Sequence, residues 1–212
     1  MMASMAFALA LMTSPGCLLK DVSQTWYVDG NGAVTWVVQE HDVRSDAQSP
    51  IDRRNEESEY SILVQQQRHP MATGLRELGG DKVRTVVLRN EAPFDIRTEA
   101  RFTGLDEVGR RLIAAIGGTG TSIVAREQGR WEWTMVVRDP SSLGGSFEPA
   151  AGITDVLDGL DGLKVVLTSG RFESAKGFTL SKDGRVASPD HDAPEGKSDE
   201  PAITLKLVWK TG

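Results

Sequence analysis

The chain has 212 residues, of which 25% are charged and 39% hydrophobic, with a formal net charge of −6 and a pI of about 5.2. That is one large domain or two small ones, with apolar residues enough for a core. The acidic balance and the lack of a basic stripe argue against nucleic acid as a partner. A lone cysteine, Cys17, rules out an internal disulfide, so stability must come from packing.

The first element is an apolar run, Met5 to Met12, followed by Thr13, Ser14, Pro15, Gly16 and Cys17. A membrane-spanning helix needs about 20 apolar residues, and this run is too short. It suits the apolar core of a secretory signal, roughly 7–15 residues long. Pro15 and Gly16 break a helix just ahead of Cys17, and Ser14 and Gly16 supply small side chains there. The stretch resembles the bacterial lipoprotein signal, whose usual pattern is Leu, a small residue, Gly or Ala, then Cys. Ser14 stands where Leu is commonest and Pro15 where Ser or Ala is usual, and no Lys or Arg precedes Lys20. In that family the cysteine thiol receives a diacylglycerol, the leader is cut, and the new amino group is often acylated. Two or three acyl chains anchor a protein stably where one alone is marginal. The resemblance implies a signal over 1–16, a lipidated Cys17, a tether over 17–21, and a place in the bacterial cell envelope facing periplasm or exterior. An α+β domain is expected over 22–139. A β-rich C-terminal part over 140–212 belongs to that domain or forms a second small one.

After the tether comes a hairpin. Gln24–Val28 and Ala33–Glu40 are rich in β-branched and aromatic residues, and Asp29-Gly30-Asn31-Gly32 supplies positive φ between them. Trp26 and Trp36 are expected as a cross-strand pair. The chain then turns polar until Ser49-Pro50, a serine cap with proline in the first turn of a helix. Tyr60, Leu63 and Val64 form its thin apolar face, early Asp52, Glu56 and Glu57 and late Arg68 suit its dipole, and His69-Pro70 interrupts it. Met71, Ala72, Leu75 and Leu78 make a second short helical stripe, stopped by Gly79-Gly80. Lys82–Arg89 is a strand. Phe94–Phe102 is the strongest strand, with Phe94, Ile96, Thr98, Ala100 and Phe102 on one face and charges on the other. A helix follows, with Leu105, Val108, Leu112 and Ile116 on one side, ending at Gly117-Gly118. Strands Thr121–Arg126 and Arg130–Arg138 flank a Gln128-Gly129 turn. A glycine-rich connection, Asp139–Gly162, holds a short helix near Ile153–Leu160. Leu163–Thr168, Phe172–Leu180 and Ile203–Trp209 are the last strands, and Ser188–Glu200 is an exposed loop. The expected fold is α+β: an antiparallel sheet with two or three helices on one face, with or without a small C-terminal β subdomain whose seam would fall near 139–150.

Chemistry is harder to find. Gly117-Gly118-Thr119-Gly120-Thr121-Ser122 lacks the Lys of a phosphate loop and follows a helix instead of opening one. His41, His69 and His191 show no metal-ligand spacing, although His41 lies between Glu40 and Asp42. Asp190 and Asp192 flank His191 without the order of a calcium loop. No Gly-x-Ser-x-Gly elbow occurs, so no catalytic residue, metal or cofactor is assigned. Trp26, Trp36, Phe94, Phe102, Trp131 and Trp133 remain. They form either the hydrophobic core or, if the helices part, the lining of an apolar cleft for a lipid.

Cys17, a Trp-Tyr hairpin with a glycine turn, helices, and then the Phe94–Ile116 strand–helix unit resemble the layout of mycobacterial LppM-type lipoproteins. The segment Val165–Pro189, with Ser169-Gly170, Lys176-Gly177 and Asp183-Gly184, is similar to that family's closing strands. The resemblance implies a β-rich envelope domain with helices on one face and lipid binding, and it carries over no catalytic residue. The expectation is a non-enzymatic, membrane-anchored lipoprotein that binds an apolar or envelope ligand or a protein partner. The alternatives are a structural component of an envelope assembly, using the charged sheet face, and an enzyme whose site is not legible.

Overall fold

The computed structural model describes residues 17–138, 151–158, 160–190 and 202–211. The expected signal over 1–16, the 139–150 seam and His191 lie outside them. Strand β1, Leu18–Val28, and strand β2, Val34–Ser45, pair antiparallel with Trp26 opposite Trp36. Their rings meet edge to face at 5.2 Å. Asp29 Oδ1 accepts from the amides of Asn31 and Ala33, and of the turn's two glycines it is Gly32 that takes positive φ, +84°. The expected tether over 17–21 is not slack chain: Leu18–Asp21 is the start of β1.

The strand β2 also runs five residues beyond its expected end, because a bulge interrupts its pairing on both sides at His41–Asp42. Asp42 adopts φ +50° there. The extra residue restores the inward phase, so Glu40, Val43 and Ser45 all point to the interior. Helix α1, Pro50–Gln65, starts where Ser49 accepts from the Asp52 amide at 3.4 Å. It ends before Arg68, so no basic residue meets its C-terminus. Helix α2, Pro70–Glu77, buries Met71, Ala72 and Leu75, and Gly79-Gly80 ends it through the Gly80 N–H to Leu75 C=O bond.

Strands β3, Asp81–Arg89, and β4, Phe94–Phe102, continue the sheet. β4 shows the alternation expected of it, with all five inward residues buried. The outer edge of β3 is covered in part by Gln67, whose amide group bonds both the N–H and the C=O of Thr85. Helix α3, Leu105–Ala115, leads into a second hairpin, β5, Thr119–Glu127, and β6, Arg130–Arg138, as the glycine cluster predicts for a cap followed by a strand.

The C-terminal third contributes strands to both sheets. After α4, Ala151–Asp158, and a 3-10 turn, strand β7, Lys164–Leu167, pairs in parallel with β1. The predicted strand Phe172–Leu180 is split by Gly177, at φ +76°, into β8, Arg171–Lys176, and β9, Phe178–Leu180. β10, Val186–Pro189, was not expected; β11 is Ala202–Lys210. Two sheets result, β3-β4-β2-β1-β7-β10-β9 and β5-β6-β11-β8. The last third therefore feeds both sheets. The fold is α+β with mostly antiparallel pairing and one parallel pair, β1–β7.

Helices are shared out as well. α1 and α2 lie against the seven-stranded sheet, α2 packs on α4, and α3 rests mainly on β5. One core cluster joins both sheets. Trp26 touches Trp36 and Trp133, and Trp131 stacks on Trp209 at 5.8 Å. No helix among the described residues is long and apolar enough to cross a membrane.

The contact between α2 and α4 is glycine on glycine. A Cβ at Gly74 would stand 2.0 Å from the Gly152 carbonyl oxygen, a backbone atom that cannot swing away. Gly74→Ala is expected to cost about 1–3 kcal/mol, the usual range for overpacking. Gly162→Ala, with nothing within 4 Å of a new Cβ, is expected to stay within about 0.5 kcal/mol of the parent. Urea denaturation midpoints of the two variants check the contrast.

Candidate functional site

The side chain that shapes this region is Glu40. It comes from β2 just before the bulge and is 1% exposed. An isolated buried carboxylate is prohibitively costly, so charge must reach it. Lys20 Nζ from β1 approaches Oε1 at 2.8 Å. His69, wholly buried at the α1–α2 junction, brings Nε2 to 3.3 Å from Oε2 and to 3.1 Å from Thr98 Oγ1 on β4. The Oε2 contact is an ion-pair distance without hydrogen-bond alignment. Thr98 in turn meets Thr85 Oγ1 at 3.2 Å. Burial pushes Glu40 upward, but the His69 contact and the Lys20 charge outweigh it and leave its pKa below the ordinary carboxylate value.

Tyr60 closes the group from α1. Its ring lies 6.3 Å from the His69 ring, edge to face. Its buried hydroxyl has no well-formed hydrogen bond. Burial first, and then the nearby Glu40 charge, drive its pKa far above the ordinary tyrosine value. A second buried polar residue, Gln24 on β1, accepts from Trp36 Nε1 at 2.8 Å and donates to the Val156 carbonyl at 2.6 Å, tying α4 to the sheet.

Above this cluster opens a partly enclosed pocket of about 350 Å³. Leu18, Tyr60, Leu63 and Pro70 provide apolar wall, and Lys20, Glu56, Glu59 and Asp155 provide charge. Four of these, Glu56, Glu59, Tyr60 and Leu63, are spaced i, i+3, i+4, i+7 and so form one face of α1. Leu18 and Lys20 alternate onto the same side of β1. Glu40 and His69 are not among the lining residues and are shut off from solvent, while Lys20 and Tyr60, which lie next to them, are part of the lining.

Cys17, the residue before Leu18 of the lining, is exposed. Its amide donates to Asp46 Oδ1 at 2.6 Å, and its carbonyl accepts from the Asp46 amide at 3.0 Å. The residue thus belongs to the fold rather than to a loose tail.

The six aromatic residues expected as a cleft lining are all buried. Trp26, Trp36, Phe102, Trp131 and Trp133 belong to the main core, whereas Phe94 packs in a separate cluster with Val43, Tyr60, Val64 and Ile96. The six are therefore divided between two clusters. The Glu40-His41-Asp42 trio is also divided. The bulge turns Glu40 inward and leaves His41 half-exposed, 3.4 Å from Asp95 Oδ1, while Asp42 pairs with Arg89. Sequence reading passed over Lys20, Glu40 as a buried charge, His69 and Tyr60 as a group. The available signal was the α1 face that mixes two acids with Tyr60 and Leu63.

No family model matches the sequence, and neither does any curated protein. Among solved structures, the chain is similar to the folded domain of the Mycobacterium tuberculosis LppM protein, determined by NMR. The alignment covers 97% of this chain and 95% of that one, at 9% identity and a TM-score of 0.34.

The buried pair has a pH signature. Since Glu40 titrates below its ordinary value of 4.5, its ionised form adds stability that is present above that value and is lost as pH falls through the lower, folded value. Glu40→Gln is expected to flatten this acid limb of the stability curve. Lys20→Met, which leaves the carboxylate under-compensated, is expected to cost about 3 kcal/mol at pH 7, while Lys20→Met combined with Glu40→Leu recovers most of it. Chemical denaturation from pH 3 to 7 on the four proteins provides the check.

Proposed function

We propose that this chain is the ligand-binding domain of a bacterial envelope lipoprotein, held to a membrane by acyl chains on Cys17, and that it is not an enzyme. The protein faces the periplasm or the exterior. Its ligand is an amphiphile or other apolar envelope molecule, taken up in the pocket walled by Leu18, Tyr60, Leu63 and Pro70.

The observation that carries the reading is the distance between anchor and pocket. Leu18 and Lys20 follow Cys17 directly along β1 and line the pocket. At roughly 3.3 Å per strand residue, Lys20 is about 10 Å from the anchored residue. With Cys17 hydrogen-bonded to Asp46, no flexible spacer separates the two. The mouth then lies within headgroup reach of the bilayer. Support for the anchor itself comes from the apolar run ahead of Ser14-Pro15-Gly16-Cys17 and from the exposure of the Cys17 side chain. The catalytic alternative is disfavoured because Glu40 and His69 are sealed from the pocket.

In a host that processes lipoproteins, an alkyne-palmitate label should enter the parent and not Cys17→Ala, and only the variant should appear in the soluble fraction. An unmodified thiol on the membrane-associated parent would sink the anchor. Native mass spectrometry of the detergent-extracted parent should show a co-purifying amphiphile. Leu63→Trp, which fills the pocket, should lose it while still taking the palmitate label.

A further inference from the structure

The two sheets end on the strands β3, β9, β5 and β8. An open row of backbone donors and acceptors invites another chain, and charges, bulges and short length are the usual defences. Three of the four strands carry them. β3 holds Lys82, Arg84 and Arg89 and shifts register at two places. β9 has only three residues, and β8 places Arg171, Glu173 and Lys176 within six. β5 lacks these defences. Its nine residues pair with β6 without a register shift, and the stretch Thr119 to Ala125 contains no charge and no proline. Among the described residues, no hydrogen bond from outside the sheet reaches the backbone of 119–127.

The side chains of β5 say what suits that edge. Ser122 is buried toward α3, so Thr119, Thr121, Ile123, Ala125 and Glu127 alternate onto the solvent side. Ile123, in the middle of the strand, is 59% exposed. At Gly109, α3 stands against both Ser122 and Met135, which are cross-strand partners. The helix therefore lies over the β5–β6 seam there rather than beyond β5.

We infer that β5 pairs antiparallel with β5 of a second copy of this chain, about a two-fold axis through Ile123, so that two four-stranded sheets become one of eight. The axis sets Ile123 against its own symmetry mate, and each covers the other's exposed aliphatic surface. Thr121 then faces Ala125 of the second copy, and Thr119 faces Glu127. Within its own sheet Thr119 is paired with Arg138. Each Glu127 thus comes to lie two strand spacings, about 10 Å, from Arg138 of the other copy, within reach of two long side chains. Both residues are exposed, and neither has an ion pair among the described residues. The register that covers Ile123 also brings opposite charges together and overlaps the whole strand. A second copy meets all three conditions by symmetry, whereas an unrelated strand would have to supply each one. The contact draws on neither the pocket nor the anchor.

The test uses the full chain with Cys17→Ser, which removes its single thiol. Association is followed by sedimentation velocity up to about 0.5 mM, because an edge contact is smaller than a standard interface. The expected result is a monomer–dimer equilibrium. Ile123→Lys, a change at an exposed position, should weaken it at least about tenfold by setting two like charges on the axis. Glu127→Arg should also weaken it, and Glu127→Arg with Arg138→Glu should restore it. Circular dichroism confirms that the variants fold. Ile123→Cys in the Cys17→Ser chain should give a covalent dimer on mild oxidation. Ile203→Cys, at a position 68% exposed on β11, should not. A chain that stays monomeric over the whole range overturns the pairing. So does a dimer that Ile123→Lys leaves intact and Ile123→Cys fails to cross-link, since the contact then belongs to another surface.

Discussion

Glu40 is a charge the interior must accommodate, and much of the local architecture follows from that. A carboxylate at 1% exposure is tolerated only with partners in contact. Those partners arrive from different parts of the chain: Lys20 from the first strand, and His69 from the cap position of α2, where Pro70 sets the helix start. Their convergence fixes where α1 and α2 meet the sheet, and the pocket is the space left above them. The β2 bulge is part of the same arrangement, because it allows Glu40 and Val43 to face inward together.

Packing between the sheets rests on tryptophan. Trp26 touches Trp36 within its own sheet and Trp133 in the other, so one side chain takes part in both layers. Two of the indole N–H groups find specific acceptors, Gln24 for Trp36 and Ser122 for Trp133. These bonds add direction to an otherwise non-directional core. Small residues serve the same end elsewhere. Gly109 lets α3 settle onto Ser122 and Met135, and Gly74 meets Gly152 where α2 crosses α4. The parallel β1–β7 pair locks the C-terminal third to the first strand of the fold.

Function, as proposed, depends on one strand serving twice. β1 begins beside the cysteine that would carry lipid, lines the pocket with alternate side chains, and then enters the core at Gln24, Trp26 and Val28. A rigid link of this kind holds a binding site at a set height and orientation over a surface, which a flexible linker would not do.

Much of the fold was legible in local pattern. The first hairpin, the strand Phe94–Phe102 with its alternation, the Ser49-Pro50 helix start and the Gly79-Gly80 and Gly117-Gly118 stops are all set by residues close in sequence, through strand period, cap chemistry and glycine conformation. The α+β class and the buried tryptophans followed from the same signals. Other features came from distant contacts. A bulge at His41–Asp42, the parallel pairing of β7 with β1, the division of the last strands between two sheets and the approach of Lys20 and His69 to Glu40 link residues tens to more than a hundred positions apart. Periodicity reports which way a side chain points on its own element and nothing about what stands opposite. The sequence by itself therefore determined most of the elements and their inward faces, though not the break at Gly177 or the strand β10. Only tertiary structure decided that a polar glutamate would be buried, because that depends on whether compensating charge can be delivered to it from elsewhere in the chain.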